Sequence, residues 1–330
     1  MNKSTVLGIG AHVPENVVTN FDLEKKMDTS NEWIVERTGI HERRFVTQPT
    51  GAAELALPAA RQAIQKAGID KSDLDLIIVA TTTPEHGFPG TSSFLQALLE
   101  LPGVPTLDIR VQCSGFVYGL SIADQYIKSG MYQHILVVGV EVQSVGLNLT
   151  TEGRDIAVLF GDGAGAAVIG KAEDSSCILS THLFADGRYA KELWVDAPVG
   201  YESPRIDEEM IQQGRQYPQM RGRQVFKHAI TKFPEVVRVA LRANNITKDD
   251  VALIIPHQAN LRITEAVARR LEIPLEKVYS NIHKYGNTTA ASIPLAMCDA
   301  VDEGKIKKGD YVILASFGSG FTWSSAALIW

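Results

Sequence analysis

The 330-residue chain is predicted to be an α/β protein built from two similar halves, each a sheet covered by helices. Three observations carry this. "SDLDLIIVATTT" (72–83) and "KDDVALIIPHQAN" (248–260) each place an acidic turn before an unbroken apolar run, the pattern of a strand buried on both faces. Each is followed, in the same order, by a helix-like segment, a short strand and a helix headed by a polar residue, Cys113 in one case and Asn287 in the other. The spacings also match. Cys113 to Gly130 and Asn287 to Gly304 are both 17 positions, while Ile77 to Cys113 is 36 and Ile254 to Asn287 is 33. The strands "HILVVGVE" (134–141) and "DYVILASF" (310–317) then close each copy, which sets the halves at 1–172 and 173–330.

Taken in order, "MNKSTVLGIGAHVPEN" has one lysine, a weakly apolar run and no small-residue cleavage site, so it is expected to form a first strand and not a signal peptide. In "LDIRVQCSGFVYGLSIADQYIKSG" (107–130), Phe116, Leu120, Ile122, Ala123, Tyr126 and Ile127 recur at helical spacing after a short strand. "FGDGAGAAVIG" (160–170) holds G-x-G-x-x-A at Gly161, Gly163 and Ala166. A dinucleotide loop needs a helix directly after the glycines; here the run stops at Gly170, so a turn between two strands is expected. Residues 194–222, with three prolines, three glycines and many charges, read as a long excursion able to serve as a lid or binding wall.

Composition removes several function classes. The chain is 45% hydrophobic with 27 glycines, and no apolar run approaches the roughly 18 residues of a membrane span, so no membrane partner is expected. Cys113, Cys177 and Cys298 are an odd, scattered set without CxxC, which fits a cytoplasmic location and argues against disulfides or structural zinc. A net charge of −6 gives no reason to expect nucleic acid. No HExxH is present, so no metal is expected, and the absence of G-x-S-x-G argues against a serine hydrolase.

Cys113 stands at the first turn of a helix, where the positive end of the dipole favours thiolate. His257, in "IIPHQAN", falls at the C-terminal end of a predicted strand, where α/β proteins build their sites. With Asn287 in "YGNTTAAS", the set is Cys/His/Asn. If the halves pack about a pseudo-twofold axis, Cys113 and Asn287 become neighbours. Two chemistries share such a set: a thiol hydrolase in which His deprotonates Cys, and an acyltransferase in which Cys carries an acyl group while His and Asn stabilise an enolate.

The segments "VQCSGFVYGL", "PHQANLRI", "YGNTTAASIPLA" and "FGSGFTWSSAAL", with "DTSNEWIVERTGIHERR" (28–44) and "FGDGAGAAV", resemble the β-ketoacyl-[acyl-carrier-protein] synthase III family of the thiolase superfamily. The likeness runs from near residue 4 to the C-terminus, with the motifs in the family's order. It implies a thiolase-like fold in five layers, α-β-α-β-α, a homodimer, no metal or redox cofactor, and the initiating condensation of type II fatty acid synthesis. It further implies that Cys113 is acylated from acyl-CoA. His257 and Asn287 then bind the thioester carbonyl of malonyl-acyl-carrier-protein, and the backbone N–H groups of Cys113 and Ser319 form a second oxyanion hole. By the same match Thr29, Trp33, Arg37 and Arg154 hold the CoA base and phosphates, and Gly222, Phe226 and Asn260 line the pantetheine tunnel. Phe88 closes the partner's acyl pocket, and Phe317 shapes the decarboxylation step. Arg262, Arg269 and Arg270 would dock the acyl carrier protein; Arg262 and Arg269 are two helical turns apart and share a face. Two departures stand out: residues 194–222 are several longer than in acetyl-primed members, and 318–320 reads Gly-Ser-Gly where glycines are common. The first leaves open a secondary-metabolism acyltransferase with a longer or unusual primer. A catalytically silent partner subunit is a third reading, opposed by the intact Cys113, His257 and Asn287.

Overall fold

The computed structural model describes residues 2–330. Strands β1 (Ser4–His12), β2 (Leu76–Ala80), β3 (Thr106–Ile109), β4 (His134–Glu141) and β5 (Gly163–Lys171) form one sheet in the order β1-β5-β4-β2-β3. Within it β1 and β4 run antiparallel to β5, while β2 runs parallel to both β4 and β3. Strands β6 (Cys177–Ala185), β7 (Val251–Pro256), β8 (Tyr311–Gly318) and β9 (Thr322–Ile329) form the second in the order β6-β9-β8-β7. Here β6 and β8 are antiparallel to β9 and β7 is parallel to β8, the same plan less one edge strand. What replaces that edge is a single parallel bridge between Ile254 and Val278.

The principal helices are α1 (Asn31–Thr38), α2 (Ala52–Ala67), α3 (Thr91–Leu98), α4 (Gly115–Ser129), α5 (Gly222–Ala243), α6 (Leu261–Leu271) and α7 (Ser292–Asp302). Helices α4 and α7 lie between the sheets. Phe116, Leu120, Ile127, Ile293 and Met297 pack on Ile78 and Val137 from one side and Ile255, Leu314 and Ala326 from the other. Helices α2 and α3 cover the outer face of the first sheet, where Ala56, Ala60 and Leu95 meet Ile77, Val79 and Val138. Helices α5 and α6 cover the second, where Phe233, Val237 and Val267 meet Ile254, Ile313 and Ala327. The layers are therefore α-β-α-β-α. In β4, Ile135 and Val137 face the middle layer while Leu136 and Val138 face the outer one. This is why both runs first recognised as strands are apolar without alternation. Each such side chain contributes roughly 1.5–3 kcal/mol when fully buried.

Two sequence expectations need correction. The G-x-G-x-x-A segment is no turn: Gly163 opens β5, and the glycines serve packing. A Cβ on Gly165 would sit 2.6 Å from the Pro294 ring and one on Gly161 2.3 Å from the Tyr285 carbonyl oxygen, so α7 and the chain leading to it approach because nothing projects. Asn287 does not head its helix. Thr288 and the 3₁₀ turn Thr289–Ala291 stand between it and α7, while Cys113 lies in the 3₁₀ turn Gln112–Ser114 directly before α4. The excursion of residues 194–222 carries structure of its own: Leu193–Val195 pairs with Pro218–Met220, Glu208–Gln212 is helical, and Ala197, Val199 and Met210 make a small core beside an Asp196–Arg215 ion pair of 2.6 Å. Among the described residues no helix is long and apolar enough to cross a membrane.

Candidate active site

The site forms where the two sheets present their strand ends to the middle layer. The turn Gln112–Ser114, which follows β3, packs against the turn Thr289–Ala291 and the end of β8. The approach at β8 is close: a Cβ on Gly318 would lie 2.7 Å from Cys113 Cβ and 3.2 Å from its Sγ. Buried hydroxyls stitch the contact. Ser316 donates to Ser114 at 3.0 Å, Thr322 donates to the same oxygen at 3.1 Å, and Ser316 and Ser324 bond each other at 2.5 Å. Such a chain holds the nucleophile's turn on both strands of the second sheet.

Cys113 is buried, and the backbone N–H groups of Cys113 and Ser319 both favour its thiolate. These are the two donors expected to bind an oxyanion. The thiol is nevertheless pushed up to about 12, by burial first and then by the Glu141 carboxylate. This overturns the expectation that the helix end favours thiolate: desolvation and a like charge outweigh two N–H dipoles. Glu141, the last residue of β4, is wholly buried and raised by that burial to about 7. It accepts from the Thr82 and Thr83 hydroxyls at 2.8 and 2.9 Å, from Thr82 N–H and from Ala290 N–H.

His257 follows β7, its N–H bonded to the Ala315 carbonyl of β8 at 2.8 Å. Its ring is buried and desolvation lowers it to about 3, so it is neutral at physiological pH. Nδ1 lies 2.7 Å from Ser292 Oγ at the start of α7. Asn287 is fixed at both ends of the residue. Its N–H bonds Leu159 O and its carbonyl takes Gly161 N–H, while Thr289 N–H donates to its side-chain Oδ1 at 2.9 Å. The amide Nδ2 is thereby left as the donating end. Phe317, at the end of β8, is buried against Phe321 with centroids 4.8 Å apart.

Of the residues expected at a CoA site, Trp33, Arg37, Gly222 and Asn260 line a cavity of about 800 Å³, together with Arg223 and the ribbon residues Tyr217 to Met220, whereas Thr29 and Arg154 are not among its lining residues. Arg37 and Arg154 stack on the Trp33 ring at 4.4 and 5.1 Å, and Arg154 also donates to the Asp28 carbonyl. Thr29 Oγ1 is buried with no hydrogen-bond partner among the described residues. Asn260 caps α6 and donates to Arg37 O at 2.8 Å, joining the two halves at the mouth. Phe226 does not line the cavity; its ring lies 5.8 Å beneath the Arg262 guanidinium. Arg262, Arg269 and Arg270 are exposed on α6. Arg269 lies 4.0 Å from Glu265, and Arg262 and Arg270 have no acidic partner among the described residues. Phe88 is 87% exposed. Among the described residues no cluster of His, Cys, Asp or Glu could hold a metal ion.

Sequence reasoning missed Glu141, Ser292 and the hydroxyls of Ser114, Ser316 and Ser324. Glu141 did leave a signal, as the one charge ending the apolar run "ILVVGVE". The others are small polar residues in apolar elements and carry none.

A buried thiol whose thiolate two backbone N–H donors favour, with a neutral histidine and an oriented asparagine at the junction of two like-ordered sheets, defines a condensing enzyme of thiolase-like fold. Family models for 3-oxoacyl-[acyl-carrier-protein] synthase III and its C-terminal part match residues 107–187 and 241–330. The β-ketoacyl-[acyl-carrier-protein] synthase III of Aquifex aeolicus is 45% identical over 323 residues, 98% of each chain; that of Roseiflexus sp. is 43% identical over 329 residues. The Aquifex crystal structure superposes with a TM-score of 0.91 over 99% of this chain and 100% of that one, at 44% identity. A priming β-ketosynthase of the R1128 polyketide pathway gives 0.90 at 30% identity, covering 99% and 96%. The chain belongs to the β-ketoacyl-[acyl-carrier-protein] synthase III family, and it is a condensing acyltransferase.

Proposed function

We propose that this chain joins an acyl-CoA primer to malonyl-acyl-carrier-protein, giving 3-ketoacyl-acyl-carrier-protein, CO₂ and CoA, with Cys113 as nucleophile and His257 and Asn287 as enolate donors. The observation that carries this is the division of donors. The N–H groups of Cys113 and Ser319 both favour the thiolate, and the Gly318 backbone packs directly on Cys113, whereas His257 and Asn287 are fixed by partners of their own.

In the first half-reaction the sulfur attacks the primer's thioester carbonyl, the tetrahedral oxyanion sits between the two N–H groups, and the departing CoA sulfur takes the thiol's proton. With the thiol held near 12, proton loss accompanies attack on bound substrate. In the second, the malonyl carboxylate leaves as CO₂ and its bonding electrons become an enolate. The neutral imidazole N–H and the Asn287 amide donate to the developing charge; donors fixed in advance in a dry site are worth most. The enolate carbon attacks the acyl-Cys113 carbonyl, and collapse expels the Cys113 sulfur as thiolate, which takes one proton from solvent.

The cavity of about 800 Å³ suits CoA, with Trp33 offering a stacking face and Arg37 and Arg154 permanent charge for phosphates. The exposed arginines of α6 suit an acidic carrier. The highly exposed Phe88 supports a homodimer in which it enters the partner's acyl pocket. We further read the enzyme as cytoplasmic and as working without metal or nicotinamide. The test of the whole reading is His257→Ala. This variant should load acyl from acyl-CoA yet release no CO₂ from malonyl-carrier; loss of loading with decarboxylation intact would support the hydrolase-like role for His257 instead.

A further inference from the structure

We infer that Ser292 is a positioning residue for His257: its hydroxyl donates to Nδ1 and thereby holds the imidazole proton on Nε2, the nitrogen free to face substrate. The inference rests on the enolate-donor reading of His257 given above. Ser292 opens α7 and is 2% exposed, so its hydroxyl cannot turn to bulk water. A hydroxyl has one proton and two lone pairs. One lone pair accepts the Gln258 N–H at 3.3 Å, and the remaining neighbour is His257 Nδ1 at 2.7 Å. If Nδ1 carried the proton it would donate to the second lone pair, and the hydroxyl proton would need another acceptor. Among the hydrogen bonds of the described residues Ser292 Oγ has none. An unpaired buried hydroxyl is costly, and reversing the donor removes the cost. The alternative arrangement therefore loses, and Nε2 keeps the proton.

The surroundings keep the ring neutral and in place. Among the described residues no ion pair reaches His257. The Gln258 side chain is itself tied to Pro256 O, Tyr279 O, Ser280 Oγ and Asn281 N–H, so the peptide that donates to Ser292 is rigid. One hydroxyl at the start of the middle-layer helix thus couples the histidine of β7 to α7, the helix that follows the Asn287 turn. An imidazole with the other tautomer would present a lone pair to the enolate oxygen and repel it.

The experiment compares Ser292→Ala, Ser292→Thr and His257→Ala in three readouts: acyl loading from acyl-CoA, decarboxylation of malonyl-carrier protein, and the ¹⁵N shifts of His257 in histidine-labelled protein. Wild type should show a pyridine-type Nδ1 and a pyrrole-type Nε2. Ser292→Ala should lower decarboxylation kcat on the order of 10- to 100-fold, as losing an orienting partner typically does. Its KM and its loading rate should stay near wild type, and Ser292→Thr, which keeps the hydroxyl, should recover most of the loss. A pyrrole-type Nδ1 in the wild type, or full decarboxylation by Ser292→Ala while His257→Ala is inactive, overturns the inference. Full decarboxylation by His257→Ala overturns the catalytic reading beneath it. A Ser292→Ala loss matched in loading and in melting temperature marks the serine as structural, and also overturns the inference.

Discussion

Gly318 offers the sharpest mutational test of the oxyanion hole. A methyl group there would begin 2.7 Å from Cys113 Cβ, 3.1 Å from its backbone nitrogen and 3.2 Å from Sγ. Carbon atoms rest comfortably at about 3.5–4.0 Å, so the Cys113 turn must retreat by roughly 1 Å. Useful donors stand about 2.7–3.1 Å from the oxyanion, and removing one costs about 10²–10³ in rate. Gly318→Ala should therefore slow acyl loading about 100-fold or more, near 3 kcal/mol in the barrier. Overpacking should cost about 1–3 kcal/mol of stability, which the melting temperature will report. Ser319→Ala is the control, since it keeps the backbone N–H and loses only the hydroxyl bond to the Leu193 carbonyl. Its loading should stay within about tenfold of wild type, since a single neutral bond contributes roughly 0.5–1.5 kcal/mol. Rapid-quench mass spectrometry with acyl-CoA measures both. Loading at the wild-type rate in a folded Gly318→Ala would refute the geometry, because the hole would then tolerate displacement of its own donor.

Glu141→Gln removes the charge that helps raise the thiol, so the pH profile of Cys113 alkylation by iodoacetamide should move to lower pH; an unmoved or higher profile contradicts the coupling. Because burial raises Glu141 above the 4.5 of an unfolded carboxylate to about 7, the folded state holds its proton longer. Its contribution to stability is complete below about pH 4.5 and lost as pH climbs through about 7, on the order of 3 kcal/mol. Melting temperatures from pH 5 to 8 should fall less steeply in Glu141→Gln than in wild type. His257, lowered to about 3, should add no acid limb to decarboxylation between pH 5 and 8; a limb that vanishes in a His257 variant would show the ring titrating there. Reversing Arg262 and Arg269 to Glu should raise the KM for malonyl-carrier about tenfold or more, about 1.4 kcal/mol. Loading from acyl-CoA should hardly change, and the wild-type KM should rise with salt; equal weakening toward both donors would move these arginines to the CoA site or to folding.

The sheet strands were legible because burial on both faces leaves an unbroken apolar run, as in "LIIVA" and "HILVVGV", and little else in a soluble chain does. His257 was singled out as a polar residue at the end of such a run, and Cys113 and Asn287 as polar residues ahead of apolar, helix-spaced segments. The glycines of 161–170 misled, since a glycine that admits a neighbouring helix looks the same in sequence as one that shapes a turn. Asn287 was placed at a helix start because the intervening 3₁₀ turn, Thr289–Ala291, continues the same apolar spacing. The thiol's environment could not be read at all: the carboxylate that opposes the helix dipole arrives from β4, 28 positions away, and burial has no local signature.

The measurement that bears most directly on the central claim is the mass of the intact protein through one turnover. Incubated with a suitable acyl-CoA, each chain should gain one acyl group, mapped by fragmentation to Cys113 and absent in Cys113→Ala. Adding malonyl-acyl-carrier-protein should discharge it, with CO₂ released and the carrier gaining the acyl group as a 3-ketoacyl thioester. An acyl group on Cys177 or Cys298, or discharge to water with the malonyl-carrier unchanged, would contradict the account.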